Sequence, residues 1–348
     1  MKRLLAVLVV LAILGFGTSR GIDWWNFNVN TPMSTAGKSV PFHVDPGETP
    51  AQIGQDLYAL GLIRSTIAFD MYTRVKNAGP KFQAGSFVLN TNMSLVQIVD
   101  ALQHGKSDQK VITFPEGFPL REQAKVVETK KIATATEYLT AAKDPALSSA
   151  YNFLPPIAAD AEAPFEGYLF PDTYLVDPAA GVKGLVRAQL DQFGVVFSAD
   201  MRAQIAQSTP ARPPQTIRSI VILASMVDRE ANAKTPSDRG NVCSVYYNRL
   251  KINMTLGVDA TLLYALKRLT PEPTAAELLL NSPYNTRTHA GLPPTPISNP
   301  GKAAIQACVN PPQTQFLFYF TDRQGVTHFE TNEADFERDK QTYGLSGS

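Results

Sequence analysis

Pro213-Pro214-Gln215-Thr216-Ile217-Arg218-Ser219-Ile220-Val221-Ile222-Leu223-Ala224-Ser225-Met226-Val227-Asp228-Arg229-Glu230 is the stretch from which the rest of the chain can be read. After two prolines, apolar residues occupy nearly every side of a helical run from Ile217 to Val227, which predicts a buried helix rather than a surface one. The run ends in acids. Glu230 stands seven residues after Leu223, four after Met226 and three after Val227, so it projects from the same apolar stripe. Burial disfavours the charged form of a carboxyl group and lifts its pKa, which is what a general acid at neutral pH requires. Asp228, two positions earlier, points about 200° away and should not share that site. A structural reading competes: Glu230 pairs with Arg229, or with another arginine at the helix end, as ion pairs commonly do.

Around this helix lies a chain of 348 residues, enough for roughly two to three domains. Its composition, 44% apolar and 18% charged, excludes global disorder and fibrous repeats. With 32 basic against 31 acidic residues the net charge is +1, which argues against nucleic acid as a partner. Two cysteines leave at most one disulfide, Cys243–Cys308, or two separate buried thiols. The four histidines are too scattered for a zinc site, and no phosphate-binding, dinucleotide-binding or Gly-x-Ser-x-Gly motif occurs. No metal and no cofactor is expected. The chemistry left is acid-base work on a carboxyl group.

Downstream of the helix, Thr235-Pro236-Ser237-Asp238 reads as a helix start capped by Thr235, and Val242 to Leu250 as the helix. A long Pro/Asn/Gly-rich segment, Asn281 to Pro300, carries Tyr284, Asn285 and His289, and reads as either a recognition loop or a rigid connection. Phe316 to Phe320 and Thr327 to Phe329, joined by Asp322-Arg323-Gln324-Gly325, predict a hairpin whose aromatics belong to a core. Upstream, Pro164-Phe165-Glu166-Gly167-Tyr168-Leu169-Phe170-Pro171-Asp172-Thr173-Tyr174 mixes four aromatics with two acids; it suits a carbohydrate groove or a packed turn.

Further upstream a strand-turn-helix plan occurs three times, beginning at Phe42, Phe87 and Val111, with Thr49 and Ser94 as helix caps. It predicts a small α+β module over roughly residues 38 to 108. At the N-terminus, Lys2-Arg3 precedes an apolar run from Leu4 to Phe16, and Trp24-Trp25 follows. Extended through Ile22, with Arg20 snorkelling, the run suits a membrane anchor over residues 1–26 with tryptophans at the outer interface. A cleaved signal peptide is the alternative. Either way the bulk of the chain is expected outside the cytoplasm.

Several of these segments, taken in order, resemble the MltG (YceG-like) family of membrane-anchored endolytic murein transglycosylases. The resemblance rests on Phe165 to Tyr174, on Leu223 to Glu230, on Val245-Tyr246-Tyr247-Asn248-Arg249-Leu250, and on Ser282-Pro283-Tyr284-Asn285-Thr286 with His289-Ala290-Gly291-Leu292-Pro293-Pro294. The family's helix usually ends Glu-Lys-Glu with the second acid catalytic. Here it ends Asp228-Arg229-Glu230, which carries the role to Glu230 alone. The resemblance implies an α+β fold: an inner-membrane anchor, a LysM-like module over 38–108 and an extracytoplasmic catalytic domain over 111–345. It implies a lyase that cuts the bond between N-acetylmuramic acid and N-acetylglucosamine, leaving a 1,6-anhydro end. Candidate groove walls are Glu166, Tyr168, Asp172, Asn248, Tyr284, Asn285 and His289. Implied partners are peptidoglycan strands and the membrane, with peptidoglycan synthases as candidate neighbours. A muramidase-type hydrolase and a non-enzymatic wall-binding scaffold are the alternatives.

Overall fold

The computed structural model describes residues 20–345 apart from 46, 105–109, 156–162, 177–179 and 231–234. The apolar run Leu4 to Phe16 lies outside the described residues, and among these no helix is long and apolar enough to cross a membrane. Among the described residues the fold is α+β, many helices with three two-stranded antiparallel sheets.

Two compact units emerge. The first runs to Thr113 and takes in Thr173–Gly181; the second comprises Phe114–Asp172 and Val182–Ser348. In the first, residues 20–29 form helix α1, and strands β1 (Ser39–Val44) and β2 (Gly85–Asn90) pair with Phe42 opposite Phe87. Alternation sends Phe42, Val44, Phe87 and Leu89 into the core. Helices α2 (Pro50–Ala59) and α3 (Thr66–Val75) intervene between the strands, and α4 (Leu95–His104) follows. Thr49 and Gln52 close a capping box on α2, and Ser94 and Gln97 exchange the same bonds at α4, as the expected caps require. Ile53, Leu57, Phe69, Ile98 and Leu102 fill the core, each worth about 1.5–3 kcal/mol of burial. Strand β3 (Lys110–Thr113) pairs with β4 (Thr173–Val176).

In the second unit, α5 (Leu120–Thr129), α6 (Ala135–Ala141), α7 (Pro145–Ala150), α8 (Gly181–Val196) and α9 (Ala199–Ile205) precede α10 (Ile217–Glu230). Every residue of α10 from Ile220 to Val227 is buried, as its composition requires. Around it pack α11 (Pro236–Lys251), α12 (Asp259–Ala265) and α13 (Lys302–Val309). The chain closes with the expected hairpin, β5 (Phe318–Thr321) and β6 (Thr327–Glu330), and then α14 (Glu333–Thr342). Thr235 precedes α11 as expected, but its side chain makes no capping bond.

Cys243 of α11 and Cys308 of α13 form a disulfide, and both are fully buried. The bridge closes a loop of 65 residues, which in the chain-entropy view limits the unfolded state by about 4 kcal/mol. The double variant Cys243→Ala/Cys308→Ala is expected to lose roughly 2–4 kcal/mol in urea titrations, with no further loss on adding reductant.

Candidate active site

Glu230 is the last residue of α10. The stripe it shares with Leu223, Met226 and Val227 is buried, but Glu230 itself is half-buried, at the point where the helix leaves the core. The Tyr319 hydroxyl, on β5, donates to Glu230 Oε2 at 3.2 Å. The backbone N–H of Ala260, in the first turn of α12, also favours the charged form of the Glu230 carboxyl. Behind Tyr319, its oxygen lies 3.1 Å from the Tyr246 hydroxyl. Burial pushes the Glu230 pKa up to about 7, and the Asp259 carboxylate adds to the rise while the Tyr319 and Ala260 donors oppose it. Asp259 is itself pinned by Arg287, whose Nη2 donates to Asp259 Oδ2 at 2.8 Å. Glu230 is therefore divided between acid and base near neutrality.

Asp228 faces elsewhere, as helical geometry requires. Its Oδ2 accepts the Gly301 N–H at 2.6 Å, and its Oδ1 lies 3.3 Å from Arg239 Nε. Burial raises its pKa, against the pull of those two donors.

Glu166 is a second buried carboxyl, 2% exposed. Its oxygens accept the Leu120 N–H at 2.9 and 3.1 Å, the Asn299 amide at 3.1 Å and the Tyr264 hydroxyl at 3.1 Å. Burial raises its pKa to about 7 although the Leu120 and Tyr264 donors pull it down. Its acceptor capacity is nearly used, whereas Glu230 keeps room for a substrate proton. The adjoining Gly167 needs φ +89°, and a Cβ there would stand 2.6 Å from Pro296 and Val221.

Glu166, Tyr168 and Tyr284 come together in one cavity of about 910 Å³, with Tyr264 completing its aromatic wall. Glu230 is not among the residues lining it, nor are Asp172, Asn248, Asn285 and His289. Asn285 is fully buried and donates to the Leu278 and Leu280 carbonyls at 2.9 Å, so it shapes the loop instead of facing an open groove. Asn248 donates to the Thr314 and Phe316 carbonyls at 3.1 and 2.9 Å, tying α11 to the segment before the hairpin. Asp172 accepts from Gln192 at 3.1 Å. His289 is exposed beside Thr288, with Nδ1 3.0 Å from the hydroxyl.

Some site residues escape a reading of the sequence. Tyr319 sits in an aromatic run that reads as core, and Asp259 in a short helix start. Asn299 is fully buried: its Oδ1 accepts the Gly167 and Leu169 N–H groups at 2.9 and 3.0 Å, and its Nδ2 donates to Phe118 O and Glu166 Oε1 at 3.1 Å. Its one sequence signal is that it precedes a proline at the end of the long loop, where an extended backbone is favoured.

Residues 42–342 match the model of the YceG-like family. The chain is 28% identical to an endolytic murein transglycosylase of Bacillus subtilis strain 168, over 88% of this chain and 85% of that one. It is 27% identical to an endolytic murein transglycosylase of Streptococcus pneumoniae strain R6 over 96% of its own length, and spans 64% of that longer relative. A crystal structure of a yceG-like protein from Listeria monocytogenes superposes with a TM-score of 0.61 at 25% identity, covering 86% of this chain and 98% of that one. With the match running through both units, the chain belongs to the YceG-like family.

Proposed function

We propose that this chain is an endolytic murein transglycosylase with Glu230 as its single general acid and base. The observation that carries the reading is a half-buried carboxyl at the end of a core helix, with pKa near 7 and the Tyr319 hydroxyl donating to it. The names of its relatives give the substrate class. In the acid form, Glu230 gives its proton to the glycosidic oxygen between N-acetylmuramic acid and N-acetylglucosamine as the bond from C1 to that oxygen breaks. The acetamido carbonyl of the substrate can stabilise C1, so a second protein carboxylate is unnecessary. Glu230, now a carboxylate, takes the proton of the muramyl 6-hydroxyl while O6 bonds to C1. The proton account closes, and no water enters.

The β-α-α-β order of β1, α2, α3 and β2 supports reading residues 38–108 as a LysM-like glycan-holding module. The apolar run Leu4 to Phe16 supports an inner-membrane anchor with the rest of the chain outside the cytoplasm. Peptidoglycan synthases are the expected neighbours of an enzyme cutting new strands. Digestion of purified sacculi tests the proposal: soluble fragments are expected, and binding without release would instead make the chain a scaffold.

Tyr319→Phe probes the acid directly. The lost donor favoured the charged form, so the Glu230 pKa rises and the alkaline limb of the rate profile moves to higher pH. The maximal rate should fall roughly tenfold, because the carboxylate formed after bond breaking is less well held. A profile unmoved in pH would remove Tyr319 from the site.

A further inference from the structure

Tyr246 of α11 is fully buried, and its hydroxyl lies 3.1 Å from that of Tyr319. A phenylalanine would fill the same space without burying a polar group, so the use of this hydroxyl is in the bond it makes. Each tyrosine hydroxyl has one proton to give and accepts through its oxygen. Tyr319 gives its proton to Glu230 Oε2 at 3.2 Å, which leaves its oxygen to accept from Tyr246. Run the other way, the chain leaves the Tyr246 proton with no acceptor among the described residues and sets the Tyr319 lone pairs against the carboxylate. One direction satisfies both bonds: Tyr246 to Tyr319 to Glu230.

The Tyr319 ring is held apart from its hydroxyl, by the Tyr246 ring at 6.4 Å and the Phe329 ring at 6.2 Å. The Tyr246 hydroxyl therefore sets the direction of the Tyr319 proton, not the position of its ring. Charged groups face Glu230 from the neighbouring elements: Arg229 on its own helix, Asp259 on α12, and Glu272 and Arg287 in the segments beyond it. Arg249 of α11 faces both tyrosines. Arg249 is committed to the Leu317 and Leu256 carbonyls at 2.6 and 2.7 Å, and Arg287 to Asp259, so neither directs a hydroxyl.

We infer that Tyr246 is a positioning residue for the proposed reaction: through Tyr319 it keeps Glu230 Oε2 an acceptor, so that the acid proton sits on Oε1 and reaches the glycosidic oxygen from there. The inference rests on Glu230 as the acid of that reaction.

Tyr246→Phe, assayed in the full chain on solubilised glycan strands, tests it. Without the directing bond the Tyr319 hydroxyl turns freely, and the acid proton divides between Oε1 and Oε2. The value of kcat should fall about fivefold with KM unchanged, the effect of one hydrogen bond of ordinary strength. The alkaline limb of the rate profile should move to higher pH, since a Tyr319 no longer polarised by Tyr246 is a weaker donor to the charged carboxyl. Tyr246→Phe/Tyr319→Phe should match Tyr319→Phe in rate and profile, because the first change acts only through the second hydroxyl. The double variant should also melt about 2 °C above Tyr319→Phe, in which the Tyr246 proton is buried without an acceptor. A Tyr246→Phe profile identical to that of wild type, or losses in the single variants that multiply in the double one, would overturn the proposal.

A second readout needs no turnover. In protein labelled with carbon-13 at its glutamate carboxyls, the Glu230 signal is the one missing from Glu230→Gln. Its titration midpoint should rise in Tyr246→Phe and stay where it is when the same change is added to Tyr319→Phe. A midpoint unmoved by Tyr246→Phe, or moved again in the double variant, refutes the hydroxyl chain whatever the activity. Midpoints that move as expected in a protein that cuts no strand keep the chain and sink the proposed reaction.

Discussion

Glu230→Gln is expected to lower the rate of strand cleavage by about 10³-fold, within the range that a positioned acid and base contributes, while making the folded protein more stable at alkaline pH. The two effects share one cause. The folded pKa of Glu230 is about 7, against an ordinary value of 4.5. A carboxyl whose folded pKa is raised binds its proton more tightly when folded, so its favourable contribution is complete below pH 4.5 and is lost as pH rises through 7. Above pH 7 the wild type carries a desolvated charge that glutamine lacks. The variant should therefore match wild type near pH 4 and exceed it by on the order of 2–3 kcal/mol at pH 8, in urea titrations. An inactive variant that gains stability cannot have lost activity through unfolding. For the wild-type rate, the acid form is required, so the alkaline limb should begin near pH 7 and fall tenfold per unit beyond it. A variant that is inactive and also less stable at pH 8 would assign Glu230 a structural ion pair instead.

Asn299→Ala should cost about 4 kcal/mol, the largest loss expected from one amide in this chain. The Asn299 side chain makes four hydrogen bonds: three buried ones, to two backbone N–H groups and the Glu166 carboxylate, and a partly buried one to the Phe118 carbonyl. Unsatisfied buried groups cost about 1–3 kcal/mol each, and part of that is recovered by relaxation. Asn299→Asp tests the same account with a sign. It keeps the acceptor for Gly167 and Leu169 but sets a carboxylate against Glu166, so it should be worse at pH 8 than at pH 5. Urea titration of the two variants at both pH values decides the matter; a loss below 1 kcal/mol for Asn299→Ala would mean the loop is held by other bonds.

What the sequence made legible follows from periodicity and local chemistry. The α10 run, its terminal glutamate and the opposite heading of Asp228 depend only on helical geometry, and all three are found as read. The caps at Thr49 and Ser94 and the final hairpin are equally local. Helix α3 was hidden because Ile67, Met71 and Val75 are exposed apolar residues opposite buried Ala68, Phe69 and Thr73, so no single stripe marks its face. Strand β4 was hidden because its partner lies 60 residues away, as the facing Thr113 and Thr173 hydroxyls show. The same distance problem governs the loop Asn281 to Pro300. Its polar residues are visible in sequence, but whether each faces a ligand or its own backbone depends on long-range closure, and Asn285 and Asn299 turn inward. Arg212 gives the plainest case: it is 2% exposed and binds the Val309, Ile205 and Gln204 carbonyls, a role no spacing announces.

The most direct test of the central claim is mass spectrometry of the fragments that wild-type protein releases from sacculi in water enriched in oxygen-18. Ring closure by the muramyl 6-hydroxyl predicts 1,6-anhydro ends that contain none of the solvent's heavy oxygen. Reducing ends that carry it would contradict the account and make the protein a hydrolase.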